Sequence, residues 1–300
     1  MGSVLITGGA GFIGSHLTER LIAEGYHITV VDDLSRGNLR NLSTILNEIQ
    51  FVKGNITDYD LMSKLVKNSD ITFHLASLSR VMPSIENPEL CFEANVHGTE
   101  IIARLCSRYG KKLVFSSSRE VYGTAEYVPV NEGHPLNPEN PYGASKVCGE
   151  KVIDAYSKCY GLNYLILRLT NVYGERDFER VIPIFMEKTL KNEAFIVYGG
   201  QQILDFVHVN DAIEAFMHAF DFSENLIFNI GSGEGVTVLD LVKLIGDITN
   251  CKNEIVLREK RKGEVERFVA NIEKAKRLLH WVPKTKLREG VSRLLESYRH

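Results

Sequence analysis

The sequence predicts an α/β protein: a doubly wound parallel sheet with helices on both faces, followed by a smaller C-terminal α/β domain. Three observations carry this. Strand-like and helix-like segments alternate from the first residues to about residue 170, the pattern of βαβ units. An apolar run, Ser3-Val4-Leu5-Ile6-Thr7, leads straight into Gly8-Gly9-Ala10-Gly11-Phe12-Ile13-Gly14 at the mouth of a helical segment. A second apolar run then ends on an acid, Val30-Val31-Asp32.

Gly9, Gly11 and Gly14 satisfy G-x-G-x-x-G, with Gly8 added in front. Glycines at these places allow a tight turn and close backbone approach, and the helix N-terminus presents unpaired N–H groups to a pyrophosphate. Alone the motif is weak evidence. A strand before it, a helix after it and an acid closing the next strand supply the context that confirms it. Asp32 follows Gly14 by eighteen residues (32 − 14), close to the spacing of an acid that bonds the adenosine ribose hydroxyls. A carboxylate there repels a 2′-phosphate and favours NAD over NADP, although Arg36 and Arg40 stand nearby.

Composition narrows the field. The chain has 300 residues, 44% hydrophobic and 24% charged, which is ordinary for a globular protein with ample core. A net charge of −3 gives no electrostatic footprint for nucleic acid or an anionic membrane. No apolar run is long enough to span a bilayer. No basic segment precedes the first strand, so a cytoplasmic location is expected. The five cysteines are odd in number, scattered and without C-x-x-C spacing, which argues for reduced thiols over disulfides or zinc. The histidines (His74, His208 and His218 among them) show no metal-ligand spacing.

In chain order, Leu17, Leu21 and Ile22 share one face of the first helix, and Gly25 ends it. Further strands are predicted at 27–31, 51–52, 71–75, 112–116 and 164–169. A long helix is predicted over 88–109 and another over about 142–160. Beyond about residue 171 the rhythm loosens: helices at 183–191, 211–220, 237–249, 272–279 and 287–298, strands at 195–198, 205–209 and 225–230. These divide into a dinucleotide-binding domain over 1–170 and a substrate domain over 171–300, with about 201–230 returning to the first. The active site is expected in the cleft between them, at the strand C-termini.

Chemistry-bearing residues gather at those strand ends: Asn95, the triple serine Ser116-Ser117-Ser118, Tyr142 and Lys146. Tyr142 and Lys146 are four apart and share a helix face. A free tyrosine has a pKa of about 10 and is a poor base at neutral pH. An ammonium one turn away, with the positive charge of oxidised nicotinamide, favours the phenolate. A serine hydroxyl beside it can share the substrate proton.

With these residues in place, the chain resembles the extended short-chain dehydrogenase/reductase family, in its nucleotide-sugar epimerase and dehydratase group. The matching stretches are 7–14, Asp32, Gly54-Asn55-Ile56-Thr57-Asp58, His74-Leu75-Ala76, Asn95-Val96-His97-Gly98-Thr99, 115–123, 141–146, 168–174, 204–211, Asn229-Ile230-Gly231 and 261–265. They run the length of the chain in the family's order. The resemblance implies a Rossmann sheet with Gly8, Gly11, Phe12, Ile13, Asp32, Asn55, Ile56, Leu75, Ala76, Asn95, Ser116, Tyr142 and Lys146 on NAD. It implies Ser118, Tyr142 and Lys146 as the catalytic set. Asn171, Arg261 and Glu264, with Ser118 and Tyr142, are expected on a nucleotide-diphosphate sugar, UDP-hexose in the first instance.

The implied reaction is 4-epimerisation between UDP-glucose and UDP-galactose through a transient 4-keto sugar, with NAD resident because net redox change is zero. The 4,6-dehydratases of the group carry Asp-Glu directly after the Ser/Thr; here those positions are Arg119 and Glu120, which disfavours dehydration. Glu120 also resembles relatives that decarboxylate UDP-glucuronate, so decarboxylation or 4-epimerisation of that uronate is the second reading. A non-catalytic NAD-sensing protein of the same fold is the third.

Departures from the family pattern also count. Leu204 stands where many relatives have a diphosphate-binding arginine, a loss of roughly 1.5–3 kcal/mol of charge-assisted bonding unless Arg261, Arg258 or Arg180 replaces it. Asn55 stands for an aspartate, its amide oxygen still able to accept from an adenine amino group. Phe268 falls where relatives tune room for a 2-N-acetyl group, and its ring favours an unsubstituted hexose. Relatives dimerise through the two long helices, so a homodimer is expected. The apolar spacing of Ile101, Ile102, Leu105, Val147, Val152 and Ile153 fits either the sheet or a second subunit.

Overall fold

The computed structural model describes residues 2–220 and 222–298. Its first half runs β1 (Ser3–Thr7), α1 (Phe12–Ala23), β2 (His27–Asp32), β3 (Gln50–Lys53), α2 (Tyr59–Lys67), β4 (Ile71–His74), α3 (Val81–Glu86), α4 (Pro88–Phe92), α5 (Gly98–Tyr109), β5 (Lys112–Ser118), α6 (Pro141–Tyr160) and β6 (Tyr164–Leu169). The second half holds β7 (Asn171–Tyr173), α7 (Val181–Leu190), β8 (Phe195–Tyr198), β9 (Ile203–His208), α8 (Val209–His218), β10 (Leu226–Ile230), β11 (Gly235–Thr237), α9 (Val238–Thr249), β12 (Ile255–Arg258) and α10 (Leu287–Ser297).

Seven strands form one parallel sheet in the order β10-β6-β5-β4-β1-β2-β3. The strand order reverses beside β1, where β2 lies on one side and β4 on the other. This crevice at the strand C-termini is where ligands bind in such sheets. Helices α1 and α8 cover one face, and Leu17, Leu21, Phe73 and Phe216 are buried there. Helices α2, α5 and α6 cover the other, over Leu5, Ile102, Phe115 and Ile166. A third cluster, including Phe185, Phe195, Leu241 and Leu294, packs α7, α9 and α10 with the small sheets β11-β9-β7 and β12-β8.

Some expectations shift. The long helix over 88–109 is three pieces: α4, a wide π turn over Glu93–His97, and α5. Thr99 Oγ1 donates to the Asn95 carbonyl at 2.6 Å within that turn, and such turns mark local departures from the i→i−4 ladder. Helices α2 and α3, and strands β7, β11 and β12, go beyond the sequence expectations: all are short, the apolar content of the first four is low or interrupted, and the apolar run of β12, Ile255-Val256-Leu257, is only four residues with Arg258 and largely exposed. Ile101, Ile102, Leu105 and Ile153 are buried in the core against the sheet, while Val147 and Val152 are half-buried beside it.

Helix α6 holds Tyr142 and Lys146, and its start is firmly built. Pro141 occupies its first turn and the Asn140 side chain accepts from Gly143 N at 2.8 Å, satisfying an orphan helix donor. The Tyr142 N–H donates to Ser84 Oγ of α3 at 3.1 Å.

Candidate active site

A cavity of about 1070 Å³ opens along the C-terminal edge of the large sheet, between it and the C-terminal elements. Its cofactor end is walled by Gly8, Gly11, Phe12, Ile13, Asp32, Asn55, Ile56, Leu75 and Ala76, and its other end by Asn171, Arg180, Arg261 and Glu264. Ser116, Ser118, Tyr142 and Lys146 lie between.

The turn after β1 needs its glycines. Gly8 has φ +73°, and a Cβ there would stand 2.7 Å from Ala76 N. The loop after β4 therefore sits directly on the turn, tied by Ala76 N donating to Thr7 Oγ1 at 3.2 Å. Asp32 closes the adjoining wall, accepting from Ala10 N (3.0 Å) and Leu34 N (2.9 Å). Burial pushes its pKa up, and those two backbone bonds oppose the shift. Asn55 directs its amide oxygen to Thr57 N and Oγ1, both at 3.0 Å, and its NH₂ to Asp33 at 3.3 Å. A glycine-shaped cradle at a helix N-terminus with a carboxylate at its edge fits a dinucleotide pyrophosphate and ribose.

At the centre, Lys146 is buried, its Nζ 2.9 Å from the Ser116 carbonyl and 5.9 Å from the Tyr142 ring centroid. Burial brings its pKa down to about 8. Burial also pushes Tyr142 up to about 12, opposed by a hydrogen bond with Ser118. Both shifts have one origin, the cost of charge in a dry site. This dry site favours the neutral phenol, and the positive charge of an oxidised nicotinamide held in the cradle would favour the phenolate.

Asn95 is placed differently from the expectation. It lies in the π turn, not at a strand end, and is behind the cavity wall. Its amide accepts from Leu78 N (2.8 Å) and donates to Leu78 O (3.1 Å) and Ser145 Oγ (2.9 Å). It holds the loop after β4 against α6.

At the far end, Asn171 donates to the Asp205 carbonyl at 2.8 Å, and Arg119 approaches its oxygen at 3.4 Å. The Arg261 guanidinium lies 3.9 Å above the Tyr198 ring and 3.6 Å from Glu264, whose pKa burial raises. Of the three arginines named as replacements for the one absent at position 204, Arg261 and Arg180 line the cavity. Arg258 ends the edge strand β12 and does not line it. Phe268 is also outside it: the ring is buried and stacks on Tyr122 at 5.6 Å, so it sets no limit on a sugar substituent.

Several site residues escaped the sequence reading. Glu179 bridges Arg36 (2.8 Å) and Arg80 (2.6 Å), closing the loop after β7 over the cradle. His16 contacts the Glu175 carbonyl at 3.0 Å, and Arg176 bonds Ser15 at 3.1 Å from the same loop. The dense charges of Glu175-Arg176-Asp177-Phe178-Glu179-Arg180 were the available signal.

A doubly wound parallel sheet with a glycine turn on its first helix and Ser118, Tyr142 and Lys146 in the adjoining cavity defines a dinucleotide-dependent enzyme of the short-chain dehydrogenase/reductase type. The chain belongs to the NAD dependent epimerase/dehydratase family, whose profile matches residues 4–231. Among solved structures it is similar to UDP-glucose 4-epimerase with UDP-glucose from Thermotoga maritima, at TM-score 0.95 and 36% identity over 99% of this chain and 98% of that one. Among curated proteins it is 34% identical to UDP-glucose 4-epimerase of Mycolicibacterium smegmatis over 99% of this chain and 98% of the relative. It is also 32% identical to UDP-glucuronic acid decarboxylase 1 of Danio rerio, over 98% of this chain and 72% of the relative. No helix among the described residues is long and apolar enough to cross a membrane, and no cluster of potential ligands for a metal ion occurs among them.

Proposed function

We propose that this chain is an NAD-dependent isomerase, a nucleotide-sugar 4-epimerase that interconverts UDP-glucose and UDP-galactose through a transient 4-keto sugar. The observation that carries this reading is the position of Ser118, Tyr142 and Lys146 between a dinucleotide cradle and a polar cavity end. Tyr142 takes the proton of the sugar 4-hydroxyl, and Ser118 shares it. Lys146 holds positive charge beside the phenol and fixes itself to the β5 backbone through Ser116. Bound NAD supplies the hydride acceptor and then the donor, leaving no net redox change. Gly8, Gly11, Phe12, Ile13, Asp32, Asn55, Ile56, Leu75 and Ala76 are assigned to that cofactor.

At the other end Asn171, Arg180, Arg261 and Glu264 are assigned to the nucleotide diphosphate. The Thermotoga relative with bound UDP-glucose and the Mycolicibacterium relative's name both support a uridine nucleotide. The epimerase mechanism needs the sugar to turn over while its nucleotide stays anchored, and a cavity with charge concentrated at both ends suits that. Residues 1–170 are assigned to the cofactor and 171–300 mainly to the sugar nucleotide. A cytoplasmic homodimer is part of the reading. Phe92 of α4 and Tyr160 of α6 are exposed apolar side chains available to such an interface, and sedimentation of a monomer at micromolar concentration would overturn the dimer.

A second reading, decarboxylation or 4-epimerisation of UDP-glucuronate, is favoured by Arg119, whose Nη1 has no hydrogen-bond partner among the described residues and whose side chain lines the cavity. The deciding experiment incubates purified protein with UDP, dTDP and GDP sugars and follows products by NMR. Formation of the C4 epimer from UDP-glucose without added NAD supports the first reading, and carbon dioxide from UDP-glucuronate the second. Binding of NAD with no sugar turned over overturns both and leaves a non-catalytic sensor.

A further inference from the structure

Glu120 is a carboxylate in the wall of the catalytic cavity, two residues from Ser118, yet both of its oxygens are already taken. Oε1 pairs with Arg119 Nη2 at 2.9 Å, and Oε2 accepts from Asn140 Nδ2 at 2.9 Å. All three residues are buried: Arg119 is 8% exposed, Glu120 6% and Asn140 5%. Asn140 is fully committed as well. Its oxygen caps α6 through Gly143 N, and its NH₂ also reaches the Gly263 carbonyl at 3.0 Å, beside Glu264.

We propose that Arg119 and Asn140 are specificity-determining positioning residues that hold Glu120 out of proton transfer, and so keep the reaction an epimerisation. This rests on the 4-keto reading given above. A C4 ketone acidifies the C–H bonds at C3 and C5, because the electron pair left behind is delocalised onto the ketone oxygen. A carboxylate free beside it would take such a proton, forming an enolate and a carboxylic acid. Returning that proton regenerates the ketone, and if the acid has exchanged with solvent the carbon carries a solvent proton. Expulsion of a group β to that carbanion would divert the intermediate altogether. A carboxylate held by one charge-assisted and one neutral hydrogen bond cannot turn toward the sugar without leaving both unmade. The clamp has a second consequence: because Asn140 also caps the helix of Tyr142 and touches the 261–264 segment, Glu120, the phenol and the nucleotide end are held by one side chain.

The test follows UDP-glucose turnover in deuterium oxide by NMR, measuring epimerisation and deuterium at C3 and C5 in the same sample. The wild-type protein should epimerise with carbon-bound hydrogen at C3 and C5 retained. Asn140→Ser keeps a helix-capping oxygen but removes the amide donor, and Arg119→Ser removes the ion pair. Each, or the pair, should raise deuterium incorporation per turnover by at least about tenfold, a modest share of the roughly 10²–10⁴-fold that a well-positioned base contributes. Adding Glu120→Gln should abolish the gain, which a merely structural disturbance would not do. Epimerisation by the variants with no added deuterium overturns the proposal, as does wild-type exchange as fast as epimerisation. If Arg119→Ser does not fold, Asn140→Ser alone decides the matter. If the wild-type protein epimerises no sugar, the 4-keto reading fails instead, and the two failures are distinct.

Discussion

Arg168 and Glu150 form a bidentate pair in the core, with Nε to Oε1 at 2.9 Å and Nη2 to Oε2 at 2.6 Å, each side chain only 3% exposed. Glu150 belongs to α6 and Arg168 to β6, so the pair pins the helix of Tyr142 and Lys146 to the sheet. Ser117 Oγ donates to the same carboxylate at 2.6 Å, and Arg168 also reaches the Tyr122 hydroxyl at 2.8 Å. Tyr142, Lys146 and Glu150 recur every four residues on one face of α6. The pair therefore fixes the rotation of the helix that presents the phenol and the ammonium.

Arg168→Met is expected to destabilise the protein by about 3–5 kcal/mol, because it leaves Glu150 as a buried charge without its counter-ion. The double replacement Arg168→Met with Glu150→Leu should recover a large part of that loss, since no unpaired charge remains. Urea denaturation of the two variants measures it. Equal losses in the single and double variants would show that packing, and not the stranded charge, dominates.

Tyr142→Phe removes the phenol hydroxyl that the proposed mechanism uses, with Ser118, to take the substrate proton. It should lower kcat by about 10²–10⁴-fold while leaving KM within a few-fold of the wild-type value, since the ring still fills its place. Steady-state epimerisation kinetics read both constants. A variant with unchanged kcat would remove Tyr142 from the chemistry.

The sheet and the cofactor end were legible in the sequence because they rest on local rules. Strands buried on both faces are continuous apolar runs. A turn that must pass under another loop needs glycine, as Gly8 does beneath Ala76. The far end was harder to read, because it is assembled from residues distant in sequence. Glu179 meets Arg36 and Arg80 from 143 and 99 residues away, and spacing carries no trace of that. Phe268 and Asn95 show the converse: each falls within or beside a recognisable motif, yet faces the core or a loop and not the cavity.

His74 predicts an acid-dependent loss of stability. It lies buried between Thr7 Oγ1, 2.7 Å from Nδ1, and Thr99 Oγ1, 3.0 Å from Nε2. Thr99 spends its proton on the Asn95 carbonyl, so the bonding assigns the ring proton to Nε2 and makes Nδ1 an acceptor from Thr7. Burial, with Lys146 nearby, brings its pKa down to about 3. Between pH 6.5 and 3 the unfolded chain binds a proton here that the folded chain does not, so stability falls as pH falls through that window. At pH 5 the loss from this group is about 2 kcal/mol. His74→Gln should lose less stability than wild type between pH 7 and pH 5 by about that amount, compared by chemical denaturation. Parallel losses in the two proteins would show that His74 does not titrate between the folded and unfolded states as its burial requires.

Gly14→Ala should empty the cradle. An added Cβ would stand 2.2 Å from the Gly8 carbonyl oxygen and 2.8 Å from Gly9 Cα, both backbone atoms that cannot swing aside. The conflict can be relieved only by moving the turn off the first turn of α1, which separates the backbone N–H groups from the place where the pyrophosphate is held. The helix itself accepts alanine, which has the better helical propensity, so the effect belongs to the turn and not to α1. The expected outcome is loss of NAD co-purifying with the protein, quantified by chromatography of the nucleotide released on denaturation, together with loss of epimerisation unless NAD is supplied in excess. Far-UV circular dichroism should remain near that of the wild type, since the sheet and its covering helices do not depend on this contact. Full retention of NAD by Gly14→Ala would mean that the turn accommodates a side chain there, and that the close approach of Gly14 to Gly8 is not what shapes the cradle.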